Sequence, residues 1–294
     1  MTAAFIRTVR SCVSPAIWAA IAVAIALFIP TVVHAQGGGD LLVSPTRVIF
    51  EDRDRSISVS LSNRGAATAT FRISIINMEM DENGDLKELA SPVPGAKTAE
   101  EMIRYAPRQV VIEPGGSQVV RLSLRKPADL GNGEYRSHMF FRAIPPEDAG
   151  QSVAASGTQS NELQIRLIPI YGITIPLIVR HGKLESAVQI SGLALADLPN
   201  GEGRVIKATL TRSGTESSFG DVTVRFKPAA GGEPVIVGQV TRLAVYTPNT
   251  TRNIQVPLRV PDGVNLANGT LDITYQAPSD EGGALLAEAS IPLR

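Results

Sequence analysis

Side chains able to make or break covalent bonds are few in this chain, and they stand far apart. There are three histidines, His34, His138 and His181, and one cysteine, Cys12. A multi-imidazole metal site, a thiolate nucleophile or a Cys–His pair each needs more than that. His138 lies among Met139, Phe140 and Phe141 in a strand-like segment, so a packed or paired ring is expected rather than a catalytic one. His181 falls where the rhythm of the sequence changes and is expected to be an exposed linker residue. Asp81-Glu82-Asn83-Gly84-Asp85 gathers carboxylates, but without the alternating acid spacing and distal Glu of a calcium loop; its Asn-Gly reads as a hairpin turn. No G-x-S-x-G elbow, phosphate-binding loop or dinucleotide fingerprint occurs. No enzyme, no metal and no cofactor is expected.

The chemistry that remains is adhesion. Residues 161–180 (NELQIRLIPIYGITIPLIVR) carry apolar side chains at Leu163, Ile165, Leu167, Pro169, Tyr171, Ile173, Ile175, Leu177 and Val179. This period-two run is much longer than the usual strand of five or six residues. Two readings fit it. Either it is two strands, broken at Pro169 or Gly172 and both packed in their own core, or one end protrudes as an apolar edge. Proteins normally suppress such an edge, and one that is kept suits strand addition to a partner. The small, polar stretch 147–161 just before it reads as a mobile loop.

The elements that must hold these residues are strands. Arg7 and Arg10 precede an uncharged run from Ser11 to Val33, then Val33-His34-Ala35, which is the pattern of a secretory signal peptide over 1–35, cleaved after Ala35. Cys12, Trp18 and His34 leave with it, and acids then outnumber bases by two. Near-balanced charge without basic blocks argues against nucleic acid as a partner. No other run suggests membrane insertion of the mature chain. A secreted chain without disulfides suits the bacterial periplasm. Alternation such as Ile57, Val59, Leu61 against Ser56, Ser58, Ser60 predicts strands near 42–50, 55–62, 68–78, 108–113, 117–125, 134–144 and 161–180. A second series follows near 186–194, 204–212, 220–227, 234–245, 251–259, 269–276 and 284–292. Thr98–Tyr105 is expected to form a short helix capped by Thr98. Two sets of seven strands imply an all-β chain of two immunoglobulin-like sandwiches, over 36–182 and 183–294, held at a fixed angle because no flexible linker joins them.

Five segments, in order, resemble a known family: Leu42–Phe50 (LVSPTRVIF), Ile57–Asn63 (ISVSLSN), Val111–Ser123 (VIEPGGSQVVRLS), Glu134–Pro146 (EYRSHMFFRAIPP) and Leu163–Arg180. Together they resemble the N-terminal domain of periplasmic chaperones of the chaperone–usher pilus pathway, the PapD-like chaperones. The second domain matches only in architecture. The resemblance implies two immunoglobulin-like domains in a boomerang and no enzymatic activity. It implies ATP-independent capping of pilus or fimbrial-type subunits by donor-strand complementation, with an outer-membrane usher as a possible further partner. It also implies roles for residues. Arg47, in T-R-x-x-F, would anchor the subunit's terminal carboxylate; Leu163, Ile165 and Leu167 would be the donated side chains; Glu134 and Arg180 would form an ion pair bracing the cleft.

The sequence departs from the family at one anchor. Counting back from Arg180, the family's second anchor, a lysine, falls on Pro176. Either another base such as Arg166 substitutes, or the carboxylate is captured differently. The alternative function is a periplasmic immunoglobulin-like scaffold that does not donate a strand. Asp272 is the acid expected to join the brace from the second domain.

Overall fold

Alternation turns into strands almost throughout. The computed structural model describes residues 40–51, 53–89, 96–145, 170–201 and 203–293. The signal segment, Leu163, Ile165, Arg166 and Leu167 therefore lie outside the described residues.

The first eleven strands make two sheets and a hairpin. One sheet orders β1 (Leu41–Ser44), β3 (Ser56–Asn63), β9 (Ser117–Leu124) and β7 (Ile103–Ala106). The other orders β2 (Val48–Phe50), β11 (Gly172–His181), β10 (Gly133–Ile144), β4 (Ala69–Ile76) and β8 (Gln109–Ile112). Their facing apolar rows, among them Phe50, Leu61, Phe71, Leu122, Met139, Phe141, Ile175 and Leu177, close a core from which water is excluded. Asn63, buried at the end of β3, donates to the Ile112 and Ala67 carbonyls and so pins a turn that would otherwise strand two acceptors.

The remaining seven strands are β12 (Ser186–Asp197), β13 (Arg204–Gly214), β14 (Ser218–Pro228), β15 (Val235–Val245), β16 (Thr251–Leu258), β17 (Gly269–Gln276) and β18 (Leu285–Leu293). They run in the order β12-β13-β16-β15-β14-β17-β18. The β15–β16 junction is held by the single pair Gly238↔Leu258, so the sheet folds there into two layers over a second core. The chain is all-β, with two immunoglobulin-like sandwiches.

Three expectations are corrected. The short helix expected over Thr98–Tyr105 shrinks to one 3-10 turn, Glu100–Met102, which leads straight into β7, and Thr98 does not cap it. Pairing of Ile103 and Tyr105 with β9 outweighs the local helix signal, since both side chains gain burial there. His181 is not an exposed linker residue; it ends β11, half-buried, opposite Gly133. The span 42–50 breaks in two at Pro45, whose missing N–H interrupts a ladder. The Asn83-Gly84 hairpin forms as expected, joining β5 (Met78–Met80) to β6 (Leu86–Glu88). There the Asp81 carboxylate accepts from the Asn83 and Asp85 N–H groups, which lowers its pKa.

Candidate functional site

The strand period decides which residues face away from the first core. In β10 the odd residues Met139 and Phe141 enter it, so Glu134, Arg136 and His138 share the opposite face. Across the β10–β11 ladder they stand opposite Arg180, Ile178 and Pro176. Parallel pairing of β2 with β11 begins at Val48↔Leu177, so Arg47, one residue earlier, comes level with Pro176. Arg47, Pro176 and His138 thus form one row across the sheet.

The second series of strands packs against this face. Its apolar centre is Met80, Ile178, Ala244 and Tyr246, with Ile49 and Phe219 beside them. The β5–β6 hairpin reaches over as well: Asn249 Nδ2 donates to the Met80 carbonyl at 2.6 Å and the Asn253 N–H to the Glu82 carbonyl at 2.7 Å.

At one end lies an ionic knot. The Glu134 carboxylate is wholly buried. It accepts from the Ser217 N–H at 3.2 Å, from the Ser217 hydroxyl, from the Thr247 hydroxyl at 3.5 Å and from Arg180 Nε at 3.4 Å. Arg180 also contacts Glu51 at 2.9 Å and Glu216 at 2.7 Å. Three carboxylates thus meet one guanidinium, and the buried one is also densely hydrogen-bonded. Burial raises the Glu216 pKa against the pull of Arg180. The turn carrying Glu216 and Ser217 is shaped by Arg212, itself buried, which donates to the Gly214, Glu216 and Asn249 carbonyls. Gly214 adopts φ 96° there, and a Cβ at that position would meet the Glu185 carbonyl oxygen at 2.2 Å. A polar cleft of about 150 Å³ opens beside the knot, lined by Glu51, Arg180, Gly182, Leu184 and Glu216.

At the other end is Arg47. Its side chain is only 7% exposed, its guanidinium lies 4.1 Å from the Phe219 ring centroid, and Nη1 donates to Glu281 at 3.0 Å. Nε is buried without a partner. Between the two ends, Arg136 stacks on Tyr246 at 4.1 Å and donates from Nη2 to the Met78 carbonyl at 3.4 Å, while its Nη1 is buried without a partner. Desolvation lowers its pKa. His138 is packed and neither ring nitrogen has a partner; burial first, and Arg136 second, push its pKa down to about 3. The face therefore holds strong donors for an anion. Among the described residues no cluster of three or more His, Cys, Asp or Glu could hold a metal ion, and no helix is long and apolar enough to cross a membrane.

The structure brings Glu134 and Arg180 together and sets Arg47 at the far end of the same face. The acid joining them from the second series is Glu216, not Asp272, which sits in β17 opposite Arg225 and Ser290. Nothing in the sequence singles out Glu216, Ser217, Phe219, Tyr246 or Glu281. They come from turns and strand ends whose relation to Arg47 and Glu134 is set by packing alone.

Residues 40–184 match the family described as pili and flagellar-assembly chaperone, PapD N-terminal domain. No curated protein matches the sequence. Among solved structures, the YadV chaperone is 16% identical, with 86% of this chain and 100% of that one covered and a TM-score of 0.42. The CupB2 chaperone of Pseudomonas aeruginosa is 11% identical, with 86% and 100% covered and a TM-score of 0.43. The SafB chaperone of Salmonella enterica, solved in complex with the SafA pilin, is 14% identical, with 86% and 96% covered and a TM-score of 0.40. These likenesses are distant in sequence and loose in superposition.

Proposed function

We propose, from the premise that this chain carries the PapD N-terminal domain of pili and flagellar-assembly chaperones, that it captures exported pilus-type subunits through a terminal carboxylate and a donated strand. As a member of that family it is an assembly chaperone and not an enzyme. On this reading the signal peptide is removed after Ala35 and the mature chain works in the periplasm. Residues 36–182 form the capturing domain and 183–294 the second sandwich. Leu163, Ile165 and Leu167 fill a groove in a subunit that lacks a strand of its own, and an outer-membrane usher receives the capped subunit. No cofactor takes part.

The observation that carries the proposal is Arg47. A guanidinium withdrawn to 7% exposure, stacked on an aromatic ring and already holding a carboxylate, is built to bind another. The anchor lysine replaced by Pro176 leaves Arg47 as the cation of its row. Two side chains hold it in place, Phe219 and Glu281. Arg47→Ala should therefore cost about 1 kcal/mol of stability. It should remain folded and lose co-purification with subunits encoded beside it. A folded variant that retains subunits would favour the scaffold reading, in which the sandwich serves assembly without capture.

A further inference from the structure

We propose that Glu281 is a built-in occupant of the Arg47 anchor, so that an incoming chain-terminal carboxylate binds by displacing it. The inference rests on the reading of Arg47 as a carboxylate anchor and adds what sets its strength.

Three observations carry it. Both Glu281 carboxylate oxygens lie against the same nitrogen, Arg47 Nη1, at 3.0 and 3.3 Å. The two-nitrogen fork of an ideal arginine–carboxylate pair is thus left unused, and Nε is buried without any acceptor. A carboxylate that takes Nη1 together with Nη2 gains the two-nitrogen geometry the occupant lacks, and it can do so only by displacing Glu281 from Nη1. Second, Glu281 is itself 45% exposed, on the short turn Ser279–Glu281 that ends at Gly282 with φ 99°. Leaving Arg47 would return its carboxylate to water without unfolding a strand. Third, the turn is held at one further point. Arg242 Nη2 lies 3.8 Å from Asp280, and Arg242 Nη1 donates to Thr46, the neighbour of Arg47, at 3.0 Å. Both members of the Arg242–Asp280 pair are more than half exposed, so this hold is weak and screened by salt.

Displacement also sets a threshold. The anchor ignores weakly held anions and yields to a carboxylate whose attached chain contributes further contacts, which is the difference between a stray side chain and a strand being bound.

The test uses the mature full-length chain, with N-acetylglycine as the chain-terminal carboxylate and N-acetylglycinamide as its uncharged control. Binding is read from the Arg47 Nε–Hε NMR signal, assigned by its loss in Arg47→Ala. Glu281→Gln should bind N-acetylglycine about fivefold more tightly than wild type, should ignore the amide, and should bind with little benefit from added salt. Wild type should approach the variant as salt loosens the Glu281 contact. If wild type and Glu281→Gln bind the acid equally, Arg47 stands as an anchor and the displacement proposal falls. If neither responds, Arg47 does not receive free carboxylates even when vacated, and the anchor reading falls with the proposal.

Discussion

Replacing His138 by leucine should make the protein more resistant to acid. The ring is 1% exposed, neither nitrogen has a partner, and its pKa is pushed down to about 3 from the ordinary 6.5. Between those values the unfolded chain holds a proton on this ring that the folded chain does not. Stability therefore falls as pH drops below 6.5 and is regained as pH rises. At pH 4.5 the unfolded imidazole is almost wholly protonated and the folded one almost wholly neutral. The linkage integral then gives a loss of about 2.5 kcal/mol relative to pH 7. His138→Leu removes this contribution and no hydrogen bond, and it is close in volume, so at pH 7 it should be neutral within about 1 kcal/mol. Urea denaturation followed by far-UV circular dichroism, run at pH 7 and 4.5 on both proteins, reads the difference directly. Wild type should lose about 2.5 kcal/mol more than the variant over that interval. Equal losses would refute the argument and mean that the imidazole gains a partner or water on protonation. The imidazole carbon shifts of His138 should report a neutral ring throughout.

At the ionic knot, Arg180→Met leaves the buried Glu134 carboxylate without its cation and should destabilise by roughly 3–5 kcal/mol; adding Glu134→Gln should recover part of that, and strictly additive losses would show the pair to be uncoupled. Tyr275 is fully buried and donates to the Leu243 carbonyl at 2.9 Å, so Tyr275→Phe should lower stability by about 1 kcal/mol and leave the circular dichroism spectrum unchanged. A Cβ on Gly220 would lie 2.3 Å from the Gln276 carbonyl oxygen and 2.8 Å from the Tyr275 ring, so Gly220→Ala should cost about 2–3 kcal/mol, visible as a lowered melting temperature; an unchanged one would mean that β14 and β17 can separate freely.

What the sequence made legible was whatever repeats along one strand. Ile57, Val59 and Leu61 announce β3 because a face buried on one side leaves a period of two, and Asn83-Gly84 announces its hairpin because few residue pairs make that turn. Glu134 and Arg180 could be paired only through the family resemblance, and the structure makes them cross-strand neighbours at one register. Glu216 could not. It lies in a turn, and its approach to Arg180 depends on Arg212 and Gly214 shaping that turn and on the packing of two separate cores. The same holds for Glu281, which is 234 residues from its partner. Thr98–Tyr105 misled because a local helix signal of one turn is weaker than pairing with β9, which no short window contains.

The spacing of these contacts orders events in time. Arg47 meets Glu281 across 234 positions, Thr46 meets Arg242 across 196, and Met80 meets Asn249 across 169. Contacts so far apart in sequence close late, because each must wait for most of the intervening chain to be made and ordered. The strands that place Arg47, by contrast, are complete by His181. The ring that Arg47 stacks on, Phe219, and its acid, Glu281, both come from the later strands and turns. The contact that holds Glu281 against Arg47 can form only once the last two strands and the turn between them are in place.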